Sequence, residues 1–381
     1  MDFNLTESNL EIQKLARDFA QNKIAPVAMK YDESQDFPWE LVKELGQMGF
    51  LGILFPEELE GSNLSAVDYA IIVEEISKAD PSLGLTVASH NGLCTNHIYM
   101  FSNDELKKKY IPDLASGRKL GAWGLTENVS GSDAAAMNTT AVKQGDWYIL
   151  NGSKSFITQG GVGETAVVTA VTDKPKNAKG ISAFIVEKDF EGFSVGKKEN
   201  KLGMRSSDTC ELIFDNCKVP ASNLIGQEGE GFKQCMQVLD GGRISIAALS
   251  VGIAQSALDH SIKYAKQRKQ FGKPLAEFQG IQFKLADMAT EVEAARLLTF
   301  KAAKLRDDGK DFKFAASMAK YYASEIATKA TNEAIQIHGG YGFIKEFPVE
   351  KLYRDVKLMT IGEGTSEVQK MIMARQLVEM Y

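Results

Sequence analysis

The sequence predicts an α+β protein in which a β-domain lies between two helical domains. From Asn4 to about Gly117, apolar residues recur three and four positions apart, which indicates helices. Between about Leu120 and Gly231 the pattern changes to short β-type runs separated by glycine and proline. After Gly231 the helical period returns. We therefore expect an N-terminal helical domain at residues 1–119, a middle β-domain at 120–231 and a C-terminal helical domain at 232–381.

The N-terminal segment predicts several short helices. The runs LEIQKLARDFAQNKIAPVA and PWELVKELGQMGFLGI each place their apolar residues on one helix face. Pro56, Gly61 and Pro81 separate these runs from one another and from the next. A helical domain follows from this pattern.

The middle segment predicts a β-barrel or a β-sandwich. Its apolar runs are WYIL, FIT, TAVVTAV, ISAFIVE and CELIF. Because Asn151-Gly152 stands between the first two runs, WYILNGSKSFIT predicts a β-hairpin with its turn at that dipeptide. Further along the same stretch, Phe156 and Thr158 are two positions apart, so they would share one strand face and could flank a flat ring.

The C-terminal segment predicts a four-helix bundle, with long helical runs at 231–268, 275–307, 311–338 and 365–380. Two glycine clusters invite a dinucleotide-binding interpretation, GQEGEG at 226–231 and GGYG at 339–342. Neither has G-x-G-x-x-G spacing between a strand and a helix. The order of helical, β and helical segments also argues against a doubly wound fold.

Composition excludes several classes of function. With 44% apolar residues among 381, the chain can bury sizeable cores, and its net charge of −6 offers no basic surface for nucleic acid. The four cysteines lack metal-ligand spacing, so we expect reduced thiols and no metal site. The apolar stretch at 246–258 is too short to span a bilayer. Since MDFNLTESNL shows no secretory pattern, we expect a bacterial cytoplasmic protein or a mature organellar matrix form.

One carboxylate stands in an unusual setting, in TIGEGTSEVQ at 360–369. Glu363 lies between Gly362 and Gly364, which permit unusual backbone angles and close approach of another molecule. Ser366 and Gln369 have capping-box spacing, which predicts a helix start directly after this loop. Taken alone, Glu363 is either a solvated turn residue or a base presented to a ligand.

Three further motifs combine glycine with polar residues. GLTENVSGSDA at 124–134 could line a polar ligand, or could be a plain loop. In KQRKQFGKPLAEFQ at 266–279, Arg268 could hold a phosphate or could be a solvated helix end. IQIHGGYGF at 335–343 ends a helix at glycines, as a simple C-cap or as a point of close backbone approach.

Considered together, GAWGLTENVSGSDA, NGSKSFITQGG, LDGGRISIAALSVGIAQ, QRKQFGKPL, QIHGGYGF and IGEGTSEVQ resemble the acyl-CoA dehydrogenase family over nearly the whole chain. The resemblance implies an FAD flavoenzyme, usually a homotetramer, that acts on an acyl-CoA substrate. Such an enzyme removes a proton from the α-carbon and a hydride from the β-carbon of the thioester, giving a trans-2-enoyl-CoA. It then passes the electrons to electron-transfer flavoprotein.

The resemblance also implies roles for individual residues. Flavin contacts within the chain are implied for Trp123, Leu125, Thr126, Phe156 and Thr158, where Phe156 replaces the tryptophan of many relatives. Contacts to the FAD of a neighbouring subunit are implied for Arg268, Phe271, Gln279, Gln336, Gly339 and Gly340. Thr365 and Glu367 match further FAD-contact positions, while Ser132, Asp240, Arg243 and Gly364 match positions that bind the substrate.

The catalytic base implied by the resemblance is Glu363. The family places its base either in this loop or on a helix, where this chain has Gly242 and therefore no carboxylate. Burial in an apolar pocket would raise the pKa of the glutamate and make it a stronger base. Many relatives have an aromatic residue where this chain has Gly362, so we expect a wider acyl pocket and leave the chain length open. The run DGGRI is typical of short-chain members.

Alternatives to this function stay open at the level of sequence. The same active site could run as an enoyl-CoA reductase in a complex with electron-transfer flavoprotein, since an active site catalyses both directions. An acyl-CoA oxidase, which transfers electrons to oxygen, is a third enzyme of this kind. A non-catalytic helical scaffold that keeps the fold is the alternative from another class.

Overall fold

The computed structural model describes residues 4–380 and contains N-terminal helices, a central sheet and a C-terminal helical bundle. This order confirms the predicted fold class. The domain boundaries at 119/120 and 231/232 stay predictions, and residues 1–3 and 381 of the two outer predicted domains lie outside the described residues.

The N-terminal helices are α1 (Glu7–Phe19), α2 (Ala28–Ser34), α3 (Trp39–Gln47), α4 (Ala66–Ala79), α5 (Pro81–Ser89), α6 (Asn96–Phe101) and α7 (Asp104–Ala115). Reciprocal capping boxes begin α1 at Thr6 and α4 at Ser65, where each cap hydroxyl accepts a backbone N–H three residues on. Between α5 and α6 the chain forms a π-helical turn, His90–Thr95, that is buried throughout. Such turns rotate the following side chains and are frequent at functional sites.

The strands of the central sheet are β1 (Gly121–Gly124), β2 (Thr140–Gln144), β3 (Trp147–Thr158), β4 (Thr165–Val171), β5 (Ile181–Glu187), β6 (Phe193–Lys198), β7 (Thr209–Pro220) and β8 (Leu224–Ile225). Their order is β6-β7-β3-β2-β4-β5-β8, and β1 pairs with β4 in parallel. The neighbours in this order are antiparallel except for a single parallel pairing of β2 with β4. Alternate residues of β3 and β7 are buried in the sheet's own core, as expected for strands with one covered face.

The predicted hairpin at Asn151-Gly152 is wrong, because β3 runs through this dipeptide without turning back. Gly152 has φ 141°, and the pairing with β7 is irregular between Leu150 and Gly152. A Cβ at Gly152 would lie 2.7 Å from the Cα of Thr139. Glycine is therefore needed here because the backbones of Gly152 and Thr139 lie close together at a β-bulge. The two-residue turn is Gly145-Asp146, between β2 and β3.

The C-terminal helices are α8 (Gly231–Gln267), α9 (Gln279–Asp307), α10 (Lys313–His338), α11 (Val349–Asp355) and α12 (Ser366–Met380). A small hairpin of β9 (Lys269–Gln270) and β10 (Lys273–Pro274) joins α8 to α9. Alanines on α10 are buried at helical spacing, namely Ala316, Ala319, Ala323, Ala327, Ala330 and Ala334. Small side chains let α10 lie close to its neighbours. Helices α4, α8, α9 and α10 share one continuous apolar core.

A buried ionic network joins the three parts of the chain. Lys351 Nζ donates to Asp80 Oδ1 at 2.7 Å and to Asp355 Oδ2 at 2.6 Å. Asp355 Oδ1 also accepts from the backbone N–H of Met204, in the segment before β7. Removing one partner from such a network leaves an uncompensated buried charge, which is strongly destabilising.

Among the described residues, 4–380, no helix has both the length and the apolar character needed to cross a membrane.

Candidate active site

Glu363 lies in a tight loop between a 3₁₀ helix, Val356–Thr360, and α12. Its backbone is left-handed, with φ 53° at Glu363 and φ 91° at Gly364. Such a conformation is uncommon for a residue with a side chain and needs support from its surroundings. Gln369 Nε2 donates to the carbonyl oxygens of Glu363 at 3.2 Å and Gly364 at 3.1 Å. Lys320 Nζ donates to the Gly364 oxygen at 2.7 Å, so two side chains hold the loop.

The start of α12 differs from the predicted capping box of Ser366 and Gln369. Thr365 Oγ1 accepts from the Val368 N–H at 3.3 Å, and Ser366 Oγ instead donates to Glu325 Oε1 at 2.6 Å. Gln369 is fully buried and turns toward the loop carbonyls. The carbonyl groups of the loop need hydrogen-bond donors. The buried Gln369 amide donates to them and therefore does not form the predicted capping box.

The carboxyl group of Glu363 lies in an environment that favours its protonated form. Burial raises its pKa to about 7, and the positive charges of Lys320 and Arg243 oppose this rise. Its Oε2 atom is buried and has no hydrogen-bond partner within residues 4–380. A carboxylate with an unpaired oxygen and a pKa near neutrality suits proton abstraction.

Gly242 on α8 faces the same point as Glu363. A Cβ built on Gly242 would overlap Glu363 Oε2 and would lie 3.3 Å from Leu93 Cδ2. Because glycine has no Cβ, the carboxyl group occupies the space that any other side chain would fill. The two positions at which the resemblance places a base therefore converge on one location, and only Glu363 supplies a carboxylate there.

Two buried cations flank this carboxyl group. Arg243 is 4% exposed and pairs with Asp240, and its Nε has no hydrogen-bond partner within residues 4–380. Burial lowers the pKa of Arg243, an effect that the charge of Asp240 opposes. Burial raises the pKa of Asp240. Lys320 is fully buried, which lowers its pKa to about 8.

Tyr69 and Leu93 also lie near the base, with Arg306 beside Tyr69, and these residues were missed by sequence reasoning. Tyr69 is buried on α4, and its hydroxyl donates to the Ala88 oxygen at 2.6 Å. Leu93 belongs to the π-helical turn. Arg306 Nη1 would lie 3.1 Å from a Cβ built on Gly241. Each of these residues fits an ordinary helical pattern in sequence. The π-helical turn that positions Leu93 has no sequence signature.

Trp123 is held by a chain of side-chain hydrogen bonds. Its Nε1 donates to His97 Nδ1 at 3.0 Å, which leaves His97 Nε2 to donate to Gln234 Oε1 at 3.0 Å. Burial lowers the pKa of His97 to about 4, so the imidazole is neutral at physiological pH. This neutral tautomer fixes the Trp123 indole at the end of β1.

The structure brings the remaining predicted flavin contacts of the middle segment together. The Ser155 N–H donates to the Thr126 oxygen at 2.8 Å, which joins the loop after β1 to the end of β3. Phe156 lies at a second bulge of β3, has φ 60° and is 66% exposed. Thr126 and Thr158 are half-buried, while Leu125 is buried. An exposed aromatic ring beside accessible hydroxyls fits a flat heteroaromatic ligand such as a flavin.

A buried ion pair holds the loop that carries Ser132. Lys154 Nζ donates to Glu127 Oε1 at 2.7 Å, and the Glu127 carboxylate accepts from the N–H groups of Asn138 and Thr139. Ser132 itself is exposed within this loop. The pair anchors both ends of the segment and leaves its middle open to solvent.

The second set of predicted FAD contacts lies elsewhere on the chain. Its members are all exposed: Arg268, Phe271, Gln279, Gln336, Gly339 and Gly340. The Arg268 guanidinium lies 5.4 Å from the ring centre of Tyr341, which places the end of α8 beside the end of α10. Arg243 and Arg268 are separated along α8 by roughly 37 Å at 1.5 Å per residue. Within one chain, this surface is therefore remote from Glu363.

Thr365 and Glu367 lie directly beside the base loop. Thr365 is half-buried and Glu367 is exposed. The pKa of Glu367 is lowered by its own backbone N–H and by the Thr365 hydroxyl. Both residues are placed where a ligand that contacts Glu363 could reach them.

Known proteins resemble this chain along its length. Three domain models of the acyl-CoA dehydrogenase family match it: the N-terminal domain at 6–118, the middle domain at 122–217 and the C-terminal domain at 229–378. An acyl-CoA dehydrogenase of Bacillus subtilis is 49% identical over 98% of this chain and 99% of that protein. Acryloyl-CoA reductase (NADH) of Anaerotignum propionicum is 46% identical over 100% of this chain and 96% of that protein.

Solved structures agree with these matches. Butyryl-CoA dehydrogenase from Megasphaera elsdenii has a TM-score of 0.98 at 46% identity, over 99% of this chain and 100% of that chain. A chain from the structure described as electron transferring flavoprotein of Acidaminococcus fermentans has a TM-score of 0.98 at 48% identity, over 99% of both chains. Since the domain models and these relatives cover almost the entire sequence, the chain belongs to the acyl-CoA dehydrogenase family and is an oxidoreductase of that family.

Proposed function

We propose that this protein oxidises the Cα–Cβ bond of an acyl-CoA thioester to a trans-2-enoyl-CoA, with Glu363 as the base. The observation that carries the proposal is the setting of the Glu363 carboxyl group. Its Oε2 atom is buried and has no hydrogen-bond partner within residues 4–380, and burial raises the pKa of the group to about 7. General-base catalysis is most efficient when the pKa of the base lies near the working pH.

The residues around Glu363 determine where the substrate lies. The thioester lies beside Gly364, with its α-carbon next to Glu363 Oε2. Arg243, Asp240 and Ser132 bind the CoA part of the substrate. As the proton moves to Glu363, hydrogen-bond donors must stabilise the developing charge on the thioester oxygen, and we assign the backbone N–H of Glu363 to that role.

We further propose that FAD is the cofactor. When bound, FAD would supply the acceptor for the hydride that leaves the β-carbon. Trp123, Leu125, Thr126, Phe156 and Thr158 hold its ring system, and Thr365 and Glu367 contact it beside the base loop. Support comes from the exposed Phe156 ring and the adjacent accessible hydroxyls.

A homotetramer completes this cofactor site. Arg268, Phe271, Gln279, Gln336, Gly339 and Gly340 are too far from Glu363 to share one FAD with it in the same chain. They would hold the FAD of a neighbouring subunit. The exposure of Phe271, 93%, supports this assignment, since so large an apolar ring is seldom left in solvent without a partner.

Electron-transfer flavoprotein is the proposed electron acceptor. Support comes from the similarity to a chain in the Acidaminococcus fermentans structure described by that name. The location consistent with this role is the bacterial cytoplasm or an organellar matrix, and the four buried free cysteines, Cys94, Cys210, Cys217 and Cys235, fit such a reducing compartment.

A second candidate is the reverse reaction, reduction of an enoyl-CoA. The observation that favours it is the similarity to the acryloyl-CoA reductase of Anaerotignum propionicum. Glu363 would then donate the proton that it accepts in the oxidative direction. The non-catalytic scaffold is disfavoured by Glu363 itself, because a purely structural fold gains nothing from a buried carboxyl oxygen that has no hydrogen-bond partner within residues 4–380.

An anaerobic titration tests the proposal. FAD-loaded protein is titrated with butyryl-, octanoyl-, palmitoyl- and isovaleryl-CoA while the flavin absorbance is followed. Bleaching by one chain class supports the oxidative function and identifies the substrate. Absence of bleaching by every thioester, together with consumption of an enoyl-CoA in the presence of reduced electron-transfer flavoprotein, would favour the reductase instead.

A further inference from the structure

We propose that Lys320 is a positioning residue that holds the loop of the catalytic base and provides the counter-charge of the Glu363 carboxylate. The inference rests on the proposed role of Glu363 as the base. Lys320 belongs to α10, 43 positions before Glu363, and is not among the residues that the sequence motifs indicate.

The hydrogen bonding of Lys320 is unlike that of the other buried lysines. Lys154 and Lys351 are also buried, and each has a carboxylate oxygen within 2.7 Å of its Nζ. Lys320 is fully buried, but among the described residues it forms no ion pair with a carboxylate within 4 Å. Its hydrogen bond goes to the Gly364 carbonyl. Burying an ammonium group without an ion pair is costly in free energy. A lysine buried in this way next to the base loop therefore indicates a functional role for Lys320.

The charges around Lys320 and Glu363 indicate what this role is. Lys320 is faced by Glu363, Glu325 and Glu367, and by the like charge of Arg243. Glu363 is faced by Lys320 first and by Arg243 second, and it lies within electrostatic reach of the Tyr69 phenol. The charge of Arg243 is already opposed by its partner Asp240. Lys320 is therefore the cation whose charge is most available to stabilise ionised Glu363.

The same ammonium group also restrains the loop. Together with Gln369 it fixes the Gly364 carbonyl, and this orientation accompanies the left-handed backbone at Glu363 and Gly364. Without Lys320, only the longer hydrogen bond from Gln369 holds that carbonyl, and the loop is freer to carry the carboxyl group away from the α-carbon. Lys320 thus acts through Glu363 and not on the substrate.

Two substitutions separate these contributions. Lys320→Met removes the charge and the donor, whereas Lys320→Gln removes the charge but keeps a donor for the Gly364 carbonyl. Lys329→Met is the matched control, because Lys329 lies on the same helix, is exposed and pairs with Glu291. Each variant is prepared with FAD bound, and its FAD content is measured before use.

The pKa of Glu363 is then measured directly, without turnover. Infrared difference spectra between each variant and the same variant carrying Glu363→Gln isolate the C=O band of the protonated Glu363 carboxyl group, which is followed against pH. We expect both Lys320 variants to raise the pKa of Glu363 by about one unit or more, and Lys329→Met to leave it unchanged. Rates of flavin bleaching should shift to higher pH in parallel, with a further loss at all pH values in Lys320→Met.

An unchanged pKa of Glu363 in Lys320→Gln, which retains the loop donor and is the variant better suited to fold, would overturn the proposal. The infrared titration needs no substrate, so it distinguishes this failure from a failure of the proposed function. A shifted pKa with no bleaching of the wild-type flavin by any thioester would support the coupling of Lys320 to Glu363 and contradict the proposed oxidative function.

Discussion

The smallest feature on which the site depends is the missing side chain of Gly242. A methyl group there would overlap Glu363 Oε2 and crowd Leu93, so Gly242→Ala must displace the carboxyl group. We expect at least about a tenfold lower rate of flavin bleaching, since small misplacements of a catalytic group are costly. Bound FAD and thermal stability should change little. Stopped-flow absorbance with a saturating acyl-CoA measures the rate.

Gly241→Ala is the matched control for this substitution. The added methyl group meets only the Arg306 guanidinium, the end of a flexible side chain, at 3.1 Å. Equal rates for the two variants would show that the space at Gly242 is not what positions the base.

The raised pKa of Glu363 also predicts a pH-dependent cost in stability. The group titrates near 7 in the folded protein and near its usual value of 4.5 when unfolded. Its stabilising contribution is therefore complete below pH 4.5 and is lost as the pH rises through 7. Glu363→Gln removes this dependence and should stabilise the protein at pH 8 by on the order of 2 kcal/mol relative to its effect at pH 4.5.

Melting temperatures of the FAD-loaded protein and of Glu363→Gln, taken at both pH values and one protein concentration, measure that difference. The sign follows from burial alone, since the charged form is the one that burial disfavours. A variant that is equally stabilised, or not stabilised, at the two pH values would contradict a buried base with a pKa near 7.

Prediction from sequence was strongest for residues within short motifs. Glu363 and Gly242 were identified as the relevant pair because each stands in a recognisable run of neighbours. Lys320 and Tyr69 were not identified, and Gln369 was assigned to a helix cap, because their significance lies in hydrogen bonds and electrostatic contacts formed only after folding. A lysine on a helix in sequence gives no indication that it will be buried without an ion pair.

At the scale of elements, the base loop carries a glycine directly before Glu363. Gly362 leaves space, since a Cβ built there would have its nearest contact, the Leu358 oxygen, at 3.5 Å. We expect Gly362→Tyr to narrow the range of accepted acyl groups more than it lowers the rate on the best one. Relative rates across a panel of acyl-CoAs measure this, and an unchanged pattern would contradict a pocket widened by glycine.

Strand β3 carries the clearest difference between sequence and structure. Asn-Gly in sequence favours a turn, but pairing with both β2 and β7 holds β3 extended through Gly152. Gly152→Ala must place a methyl group against Thr139 at φ 141°, and should destabilise the protein by about 2 kcal/mol or more. Urea unfolding followed by circular dichroism measures the change.

Gly145→Asn is the control for that substitution. Gly145 lies in the actual turn, has φ 59° and has no atom within 4 Å of a built Cβ. Asparagine tolerates this conformation, so we expect a change within about 0.5 kcal/mol. Comparable destabilisation by both substitutions would argue against a strand that continues through Gly152.

At the scale of the whole molecule, the cofactor site is predicted to need a second chain. Phe271 and Gly272 form the turn of the β9–β10 hairpin, both with positive φ, and this turn projects the Phe271 ring into solvent. We expect Phe271→Asp to lower both the assembly mass and the FAD content, because one surface serves both. Light scattering and the flavin absorbance per chain measure the two quantities.

Val142→Asp provides the comparison, since Val142 is an exposed apolar residue of β2 outside the proposed contact. It should retain both the mass and the FAD of the wild type. Loss of FAD in Phe271→Asp with an intact assembly would mean that the ring binds FAD without supporting the assembly.

The order of helical, β and helical segments was predictable from periodicity alone, because each part has its own apolar pattern, even though the N-terminal and C-terminal helices share one core. The contacts between the three parts of the chain were not predictable from periodicity. The buried network depends on Asp80, which is far in sequence from the Lys351–Asp355 pair and becomes its neighbour only when the N-terminal and C-terminal helices pack together.

The central claim is that Glu363 removes the α-proton. Its most direct test is the exchange of that proton with D₂O, followed by NMR on an acyl-CoA bound to FAD-loaded wild-type protein, Glu363→Gln and the exposed control Glu11→Gln. We predict exchange in the wild type and in Glu11→Gln, and none above the protein-free rate in Glu363→Gln with its FAD retained. Exchange at the wild-type rate in Glu363→Gln would contradict the assignment of the base.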